Sequence, residues 1–188
     1  MIDEQTLVLL KPDAVARGIC GEIITRFERV GLKIAAMKML FADKKVLEEH
    51  YYKDKKWLAE KGKGIIKNKG YPEDYDPVKA GQEIVDGLVK DMRINPVIAM
   101  VIEGHNAVEV VRKITGPTNV RDAQPGTIRG DFSHDTYDLA NVSDRPIITI
   151  IHASGSVDEA KNEVKLWFDK SEIHSYNRVD ASLHYRKG

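Results

Sequence analysis

The run Ile150-Ile151-His152-Ala153-Ser154-Gly155-Ser156 sets a histidine at the end of an apolar stretch and just before a helix start. Imidazole titrates near neutral pH, so a histidine there can act as a nucleophile or a proton carrier. Ser154 and Ser156 lie within reach of the ring, and the amides opening the next helix favour an anion. Glu159 stands one turn into that helix and Glu163 two turns in, and either carboxylate could fix the imidazole tautomer. Taken alone, a histidine is better explained by a backbone hydrogen bond, and it is these surroundings that shift the balance.

Three cations sit in apolar or glycine-rich surroundings. Lys11 directly ends the apolar run Thr6–Leu10, Arg112 lies inside an apolar helical pattern, and Arg129 falls in PGTIRGDF. Each alone reads as a solvated or snorkelling side chain. Together with Thr118, in a Gly/Pro loop, they suggest a phosphate clamp, because guanidinium forks and a lysine point charge match phosphate oxygens. The Gly62-Lys63-Gly64 triplet is no Walker A loop, since it lacks the four-residue spacing and the following Ser or Thr.

The elements that must position these groups are readable from periodicity. Thr6–Leu10, Leu32–Leu40, Val97–Ile102 and Ile147–Ile151 read as strands. Ile19, Ile23, Ile24 and Phe27 recur at helical spacing, with Gly31 closing that helix. Asp43 reads as the N-cap of a helix through Val46, Leu47 and His50. Further helices are expected over Glu83–Met92, Asn106–Ile114 and Ser156–Phe168, the last with Ser156 and Glu159 as a capping box. Residues 53–81 are lysine-rich and glycine-punctuated, either a helical hairpin or a loop, and 115–130 form a long Gly/Pro/Thr loop. The order reduces to βαββαβ, an α+β ferredoxin-like sandwich of a four-stranded antiparallel sheet with helices packed on it.

Composition narrows the function class. The 188 residues hold 29 Lys plus Arg and 29 Asp plus Glu, a net charge of zero that argues against a nucleic-acid or anionic-membrane partner. One cysteine, Cys20, excludes an internal disulfide, and no metal-ligand cluster stands out. No run approaches a membrane span or a signal h-region, so a cytoplasmic protein of one domain, 1–188, is expected.

The blocks TLVLLKPDAVARGICGEIITRFERVGLKI, VIEGHNAVEVVRKITGPTN, DAQPGTIRGDF and IIHASGSVDEAKNEVKLWF resemble nucleoside diphosphate kinases and occur in the same order. The resemblance implies the same ferredoxin-like fold and a ping-pong phosphotransferase. It would move the γ-phosphate of ATP, or another nucleoside triphosphate, to a nucleoside diphosphate through a phosphohistidine. His152 matches the family's nucleophile, and Arg112, Thr118 and Arg129 match its phosphate ligands. Lys11 matches the lysine contacting the sugar hydroxyl and the transferred phosphate, Tyr51 the tyrosine near the histidine, and Leu88 a wall of the base slot. Ser154 and Glu163 match the residues that orient the histidine. Mg2+ bridging the phosphates and assembly into a tetramer or hexamer are implied likewise.

The chain departs from the usual family pattern by insertions at about 53–81 and 133–145. Ile84 stands where the family usually has a base-stacking aromatic, Thr149 where it has a sugar-contacting asparagine, and Gly155 where it has an acid. The first insertion is either a lid whose Trp57, Tyr71 or Tyr75 supplies a stacking surface, or a solvated arm touching neither substrate nor core. Two other classes of function are a nucleotide-binding module that has lost turnover, and nucleic-acid binding through Lys53–Lys69. The complete set Lys11, Arg112, Arg129, His152 and Glu163 speaks for the enzyme.

Overall fold

Strand β1 (Glu4–Leu10) is buried on both faces, so its side chains alternate between two cores rather than between core and solvent. Leu7 and Leu9 join one apolar cluster, Val8 and Leu10 the other. The computed structural model describes residues 4–184 except 53 and 73. After β1 come α1 (Pro12–Ala16), α2 (Cys20–Arg29), β2 (Lys33–Leu40), α3 (Lys44–Tyr51), α4 (Lys55–Lys69) and α5 (Pro77–Asp91). Next are β3 (Val97–Gly104), α6 (Ala107–Thr115), α7 (Ile128–Phe132), α8 (Tyr137–Val142), β4 (Ile151–Ala153), α9 (Val157–Trp167) and α10 (Ala181–His184).

The sheet order is β2-β3-β1-β4 and all three pairings are antiparallel. This is the expected ferredoxin-like α+β arrangement. Val97, Ala99 and Val101 of β3 share a cluster with Leu7, Val85, Val164 and Trp167. Met100 and Ile102 face the opposite way, with Ile23, Phe27, Val111 and Ile128. Two of the caps read from sequence are present here. Asp43 accepts from the amides of Lys45 and Val46, and Gly31 follows α2 at φ 88°.

Two expectations are corrected. Residues 147–150 are not a strand, despite their β-branched composition; the fourth strand is Ile151–Ala153, and His152 is its middle residue. The chain must turn first, at Ile150, whose amide is taken by Asp13 instead of a neighbouring strand. The segment 53–81 is not an arm clear of the core. It forms α4 and the start of α5, capped by Asp54 and Asp76 and broken by Gly70 at φ 69°. Leu58 is buried with Val85 and Val89, and Trp57 packs against the same cluster.

Glycine sets how closely this hairpin closes. A Cβ on Gly62 would overlap the Pro77 carbonyl oxygen, and one on Gly81 would overlap that of Leu58. Gly64, in the same helix as Gly62, has open space around it. Gly81→Ala is therefore expected to destabilise the protein by about 2 kcal/mol, since backbone must move to admit the methyl. Gly64→Ala should stabilise it by about 0.5–1 kcal/mol through helix propensity alone. Urea unfolding of both variants at one protein concentration checks the contrast, and a Gly81→Ala midpoint equal to wild type would refute the close approach.

Candidate active site

The site begins with β4 paired against β1. His152 lies opposite Leu9, on the sheet face covered by α3 and α9, and the Ser154 amide donates to the Leu7 carbonyl at 3.2 Å. Ser156 accepts from the Glu159 amide and starts α9, which brings Glu163 and Trp167, four residues apart, to one side. Only half the capping box forms, because the Glu159 carboxylate reaches the Gly155 amide at 2.6 Å rather than that of Ser156. Glu163, not Glu159, is therefore the partner of His152.

Glu163 Oε2 lies 2.9 Å from His152 Nε2 and accepts from Ser154 Oγ at 2.7 Å. The Leu7 amide donates to the same Ser154 oxygen at 3.2 Å, which fixes the hydroxyl's direction. Burial opposes ionisation of Glu163. Hydrogen bonds from His152 and Ser154 and the closeness of both imidazoles outweigh it and hold the carboxyl below its ordinary value. An ionised carboxylate only accepts, so His152 Nε2 carries the proton and Nδ1 keeps a free lone pair.

His50, on α3, is a member of this cluster that sequence reasoning missed. Its ring stands 4.5 Å from that of His152, nearly perpendicular, and its Nδ1 is 3.5 Å from Glu163 Oε1. Trp167 Nε1 donates to the same nitrogen at 3.3 Å. The Leu47–His50 spacing was legible as a helix face, but only the fold shows that the face meets Glu163. Tyr51 follows, with its hydroxyl buried and without a hydrogen-bond partner among the described residues. Burial, then the charges of Glu163 and Asp91, push that phenol's pKa upward.

Lys11 lies within electrostatic reach of Arg129, and Arg129 of Arg112. Lys11 Nζ is pushed down to about 8 by burial and by the charge of Arg129. Arg129, 9% exposed, is lowered to about 10 by burial and by Arg112. Arg129 spends donors on three carbonyls: Nε on Thr149 at 3.3 Å, Nη1 on Gly116 and Nη2 on Ile151, both at 2.8 Å. Arg112 is exposed near Gly155, its Nη1 3.8 Å from where a Cβ there would stand, and Glu159 Oε2 is 2.6 Å from the same point. The Glu159 carboxylate thus occupies the neighbourhood in which the resemblance implies an acid at 155. Thr118 is exposed in the loop after α6. Thr149 is buried, and Ile84 and Leu88 lie partly exposed on α5. Pro146, in the stretch before β4, closes on α5 at Gly87, where a Cβ would be 3.1 Å from its ring.

The backbone before His152 is strained. Ile150 has φ 64°, in the region that β-branched residues avoid, and the Ile151 amide donates to the Thr149 carbonyl at 2.6 Å. That bond spans two residues, as in a γ-turn of the rare hand, and such a conformation costs about 1–3 kcal/mol.

Among the described residues, His50, His152 and Glu163 are the group whose ligand atoms come within 4.8 Å of one another. Two imidazoles do not suit Mg2+, which prefers oxygen ligands and keeps substrate phosphates among them.

The family sequence pattern described as nucleoside diphosphate kinase matches residues 4–61 and 63–173. A nucleoside diphosphate kinase of Pyrobaculum aerophilum is 45% identical over 180 residues, which is 90% of this chain and 97% of that one. The crystal structure of an NDP kinase from the same organism superposes with a TM-score of 0.85 at 43% identity, covering 92% of this chain and all of that one. A transition state mimic of the nucleoside-diphosphate kinase from Borrelia burgdorferi, with bound vanadate and ADP, superposes at 0.79 with 36% identity over 97% of each chain. With this fold and these residues in one place, the chain belongs to the nucleoside diphosphate kinase family.

Proposed function

We infer that this chain is a nucleoside diphosphate kinase that passes the γ-phosphate of ATP, or of another nucleoside triphosphate, to a nucleoside diphosphate through His152. The observation that carries the reading is the Glu163–His152 Nε2 contact of 2.9 Å, which leaves Nδ1 as the free base. The Nδ1 lone pair forms the N–P bond while the bond from γ-phosphorus to the bridging oxygen breaks, and its electrons leave with the diphosphate. The positive charge that develops on the imidazole is met by Glu163, which is oriented by Ser154. A terminal oxygen of the incoming diphosphate then attacks phosphorus, and Nδ1 recovers its lone pair.

Lys11, Arg112, Thr118 and Arg129 are the phosphate ligands in this reading. The repulsion among Lys11, Arg129 and Arg112 is relieved by an anion, which makes the cation cluster a receptor for polyphosphate. Tyr51 offers its unpartnered hydroxyl beside the reacting phosphate, and Lys11 also serves the sugar hydroxyl. Ile84 and Leu88 wall the base, with Thr149 at the sugar through its backbone neighbourhood. Mg2+ arriving on the phosphates neutralises part of their charge. We place residues 1–188 in one domain and the protein in the cytoplasm. Among the described residues no helix is long and apolar enough to cross a membrane. Assembly into a tetramer or hexamer fits the edge strand β2, where Met37 is 56% exposed and Met39 59%, and Phe41 just after it is 68% exposed.

Incubation with γ-labelled ATP and magnesium should load one phosphoryl group, stable to base, labile to acid and discharged onto GDP. His152→Ala should abolish loading while leaving the unfolding midpoint near wild type, and loading in that variant would sink the mechanism. Lys11 binds phosphate only while charged, so with its pKa at about 8 ADP affinity should weaken about three- to tenfold from pH 7 to pH 9. Lys11→Arg should flatten that limb, as titration calorimetry can show. Glu163→Gln can donate an amide N–H toward Nε2, so the His152 proton should shift to Nδ1. Imidazole 15N resonances read the tautomer directly, and unchanged Nε2 protonation would contradict the assigned role of Glu163.

A further inference from the structure

Four polar backbone groups of the strained turn before His152 are held from outside it. The Ile150 amide donates to Asp13 Oδ2 at 3.0 Å, and the Ile150 carbonyl accepts from the Lys11 amide at 2.8 Å. The carbonyls on either side, Thr149 and Ile151, take Nε and Nη2 of Arg129. Ile150 and Ile151 are themselves fully buried. A left-handed isoleucine persists only where its surroundings over-determine it, and here the surroundings are few enough to name. Two of them, Lys11 and Arg129, are also cations of the phosphate cluster. Asp13 is not.

From this geometry we propose that Asp13 is a positioning residue for phosphoryl transfer, acting through the Ile150 amide to hold the turn that aims His152. The proposal rests on the phosphohistidine reading above. Asp13 sits in the first turn of α1, and Pro12 before it lacks an amide hydrogen and fixes the backbone there. Its carboxylate therefore hangs from a rigid start of helix and reaches across to a chain segment 137 residues away. Without that acceptor the Ile150 amide is buried and unpaired, and the turn can relax toward the extended conformation that its β-branched sequence favours. Relaxation would move His152 along its strand relative to Glu163, Lys11 and Arg129, and a misplacement of about 1 Å can cost on the order of 100-fold in rate.

The role needs an acceptor oxygen, not a charge. Burial pushes the Asp13 carboxyl above its usual range against the opposing pull of Lys11, so charge pairing with Lys11 is the competing account. Asp13→Ala and Asp13→Asn separate the two, because asparagine keeps a carbonyl oxygen in place and removes the charge. Single-turnover phosphorylation by ATP and equilibrium binding of ADP are measured on the full chain for both variants. Asp13→Ala is expected to phosphorylate about 100-fold more slowly with ADP affinity within about threefold of wild type. Asp13→Asn should stay within about tenfold in rate. Rate loss in Asp13→Asn as deep as in Asp13→Ala would overturn the proposal in favour of charge, and so would wild-type phosphorylation by Asp13→Ala. Should Asp13→Ala fail to fold, Asp13→Asn decides alone: near-wild-type rate supports the acceptor role and deep loss refutes it. If the wild type takes up no phosphate, the phosphohistidine reading falls and the positioning role with it. An active Asp13→Ala alongside an active wild type removes only the positioning role.

Discussion

An ionised carboxylate that is 5% exposed has to be matched by donors, and around Glu163 that requirement organises the whole site. Taking a carboxylate out of water costs several kcal/mol unless hydrogen bonds replace its hydration. Here the donors come from a neighbouring strand and the loop after it, His152 and Ser154, and so β4 must lie in register with α9. Ser154 is in turn held by Leu7 of β1, the strand buried on both faces. The histidine is consequently fixed by the same contacts that make the sheet. The site histidine and the core are one construction, and α3 adds His50 and Tyr51 to it by packing on the same face.

The phosphate side is built on the opposite principle. Glu163 is surrounded by what it needs, whereas burial, then the charge of Arg129, lowers the proton affinity of Lys11, and burial, then the charge of Arg112, lowers that of Arg129. Arg129 is stabilised there by backbone carbonyls at Gly116, Thr149 and Ile151, which tie the end of α6 and the turn before β4 to α7. A guanidinium committed in this way is held in one orientation, with little side-chain entropy left to lose. Glu159, folded back onto the Gly155 amide beside Arg112, supplies a carboxylate where the residue at 155 has no side chain. A helix residue one turn on can thus stand in for a strand-end residue, a substitution that position-by-position comparison reads as a loss.

The parts of the molecule governed by local rules were legible in the sequence. The β1 and β3 runs, the Asp43 and Ser156 caps and the apolar face of α9 each follow from residues within a few positions of one another. The parts that depend on remote partners were not. Ile147–Ile151 looks like a strand because β-branched residues favour one, and only Asp13 and Arg129, far away in sequence, make it a turn. In 53–81 the glycines read as breakers, yet Gly62 and Gly81 serve as contact points that let α4 and α5 approach. His50 has the spacing of a core residue, and nothing near it in sequence signals Glu163. Lys11, Arg112, Arg129 and His152 were recognised by motif, but their convergence is a property of the sheet order.

The two insertions also bear on the nucleoside side, because α5 lies between them. The hairpin partner α4 buries Leu58 against Val85 and Val89 on the core side of α5, and Tyr71 and Tyr75 both hydrogen-bond Glu83 at 2.9 and 2.5 Å. Ile84 and Leu88 are on the remaining, partly exposed side of α5. There the second insertion arrives: buried Asp135 grips Arg145 through both carboxylate oxygens, at 2.7 and 2.9 Å, and accepts the Ile148 amide at 2.6 Å. These bonds lie on the stretch that runs past Gly87 into the turn at Ile150. Asp135 consequently holds one end of this stretch and Asp13 the other. The chain around Pro146 is thus set against α5 by an aspartate–arginine clasp, while two tyrosine–glutamate bonds tie the start of α5 to the turn before it.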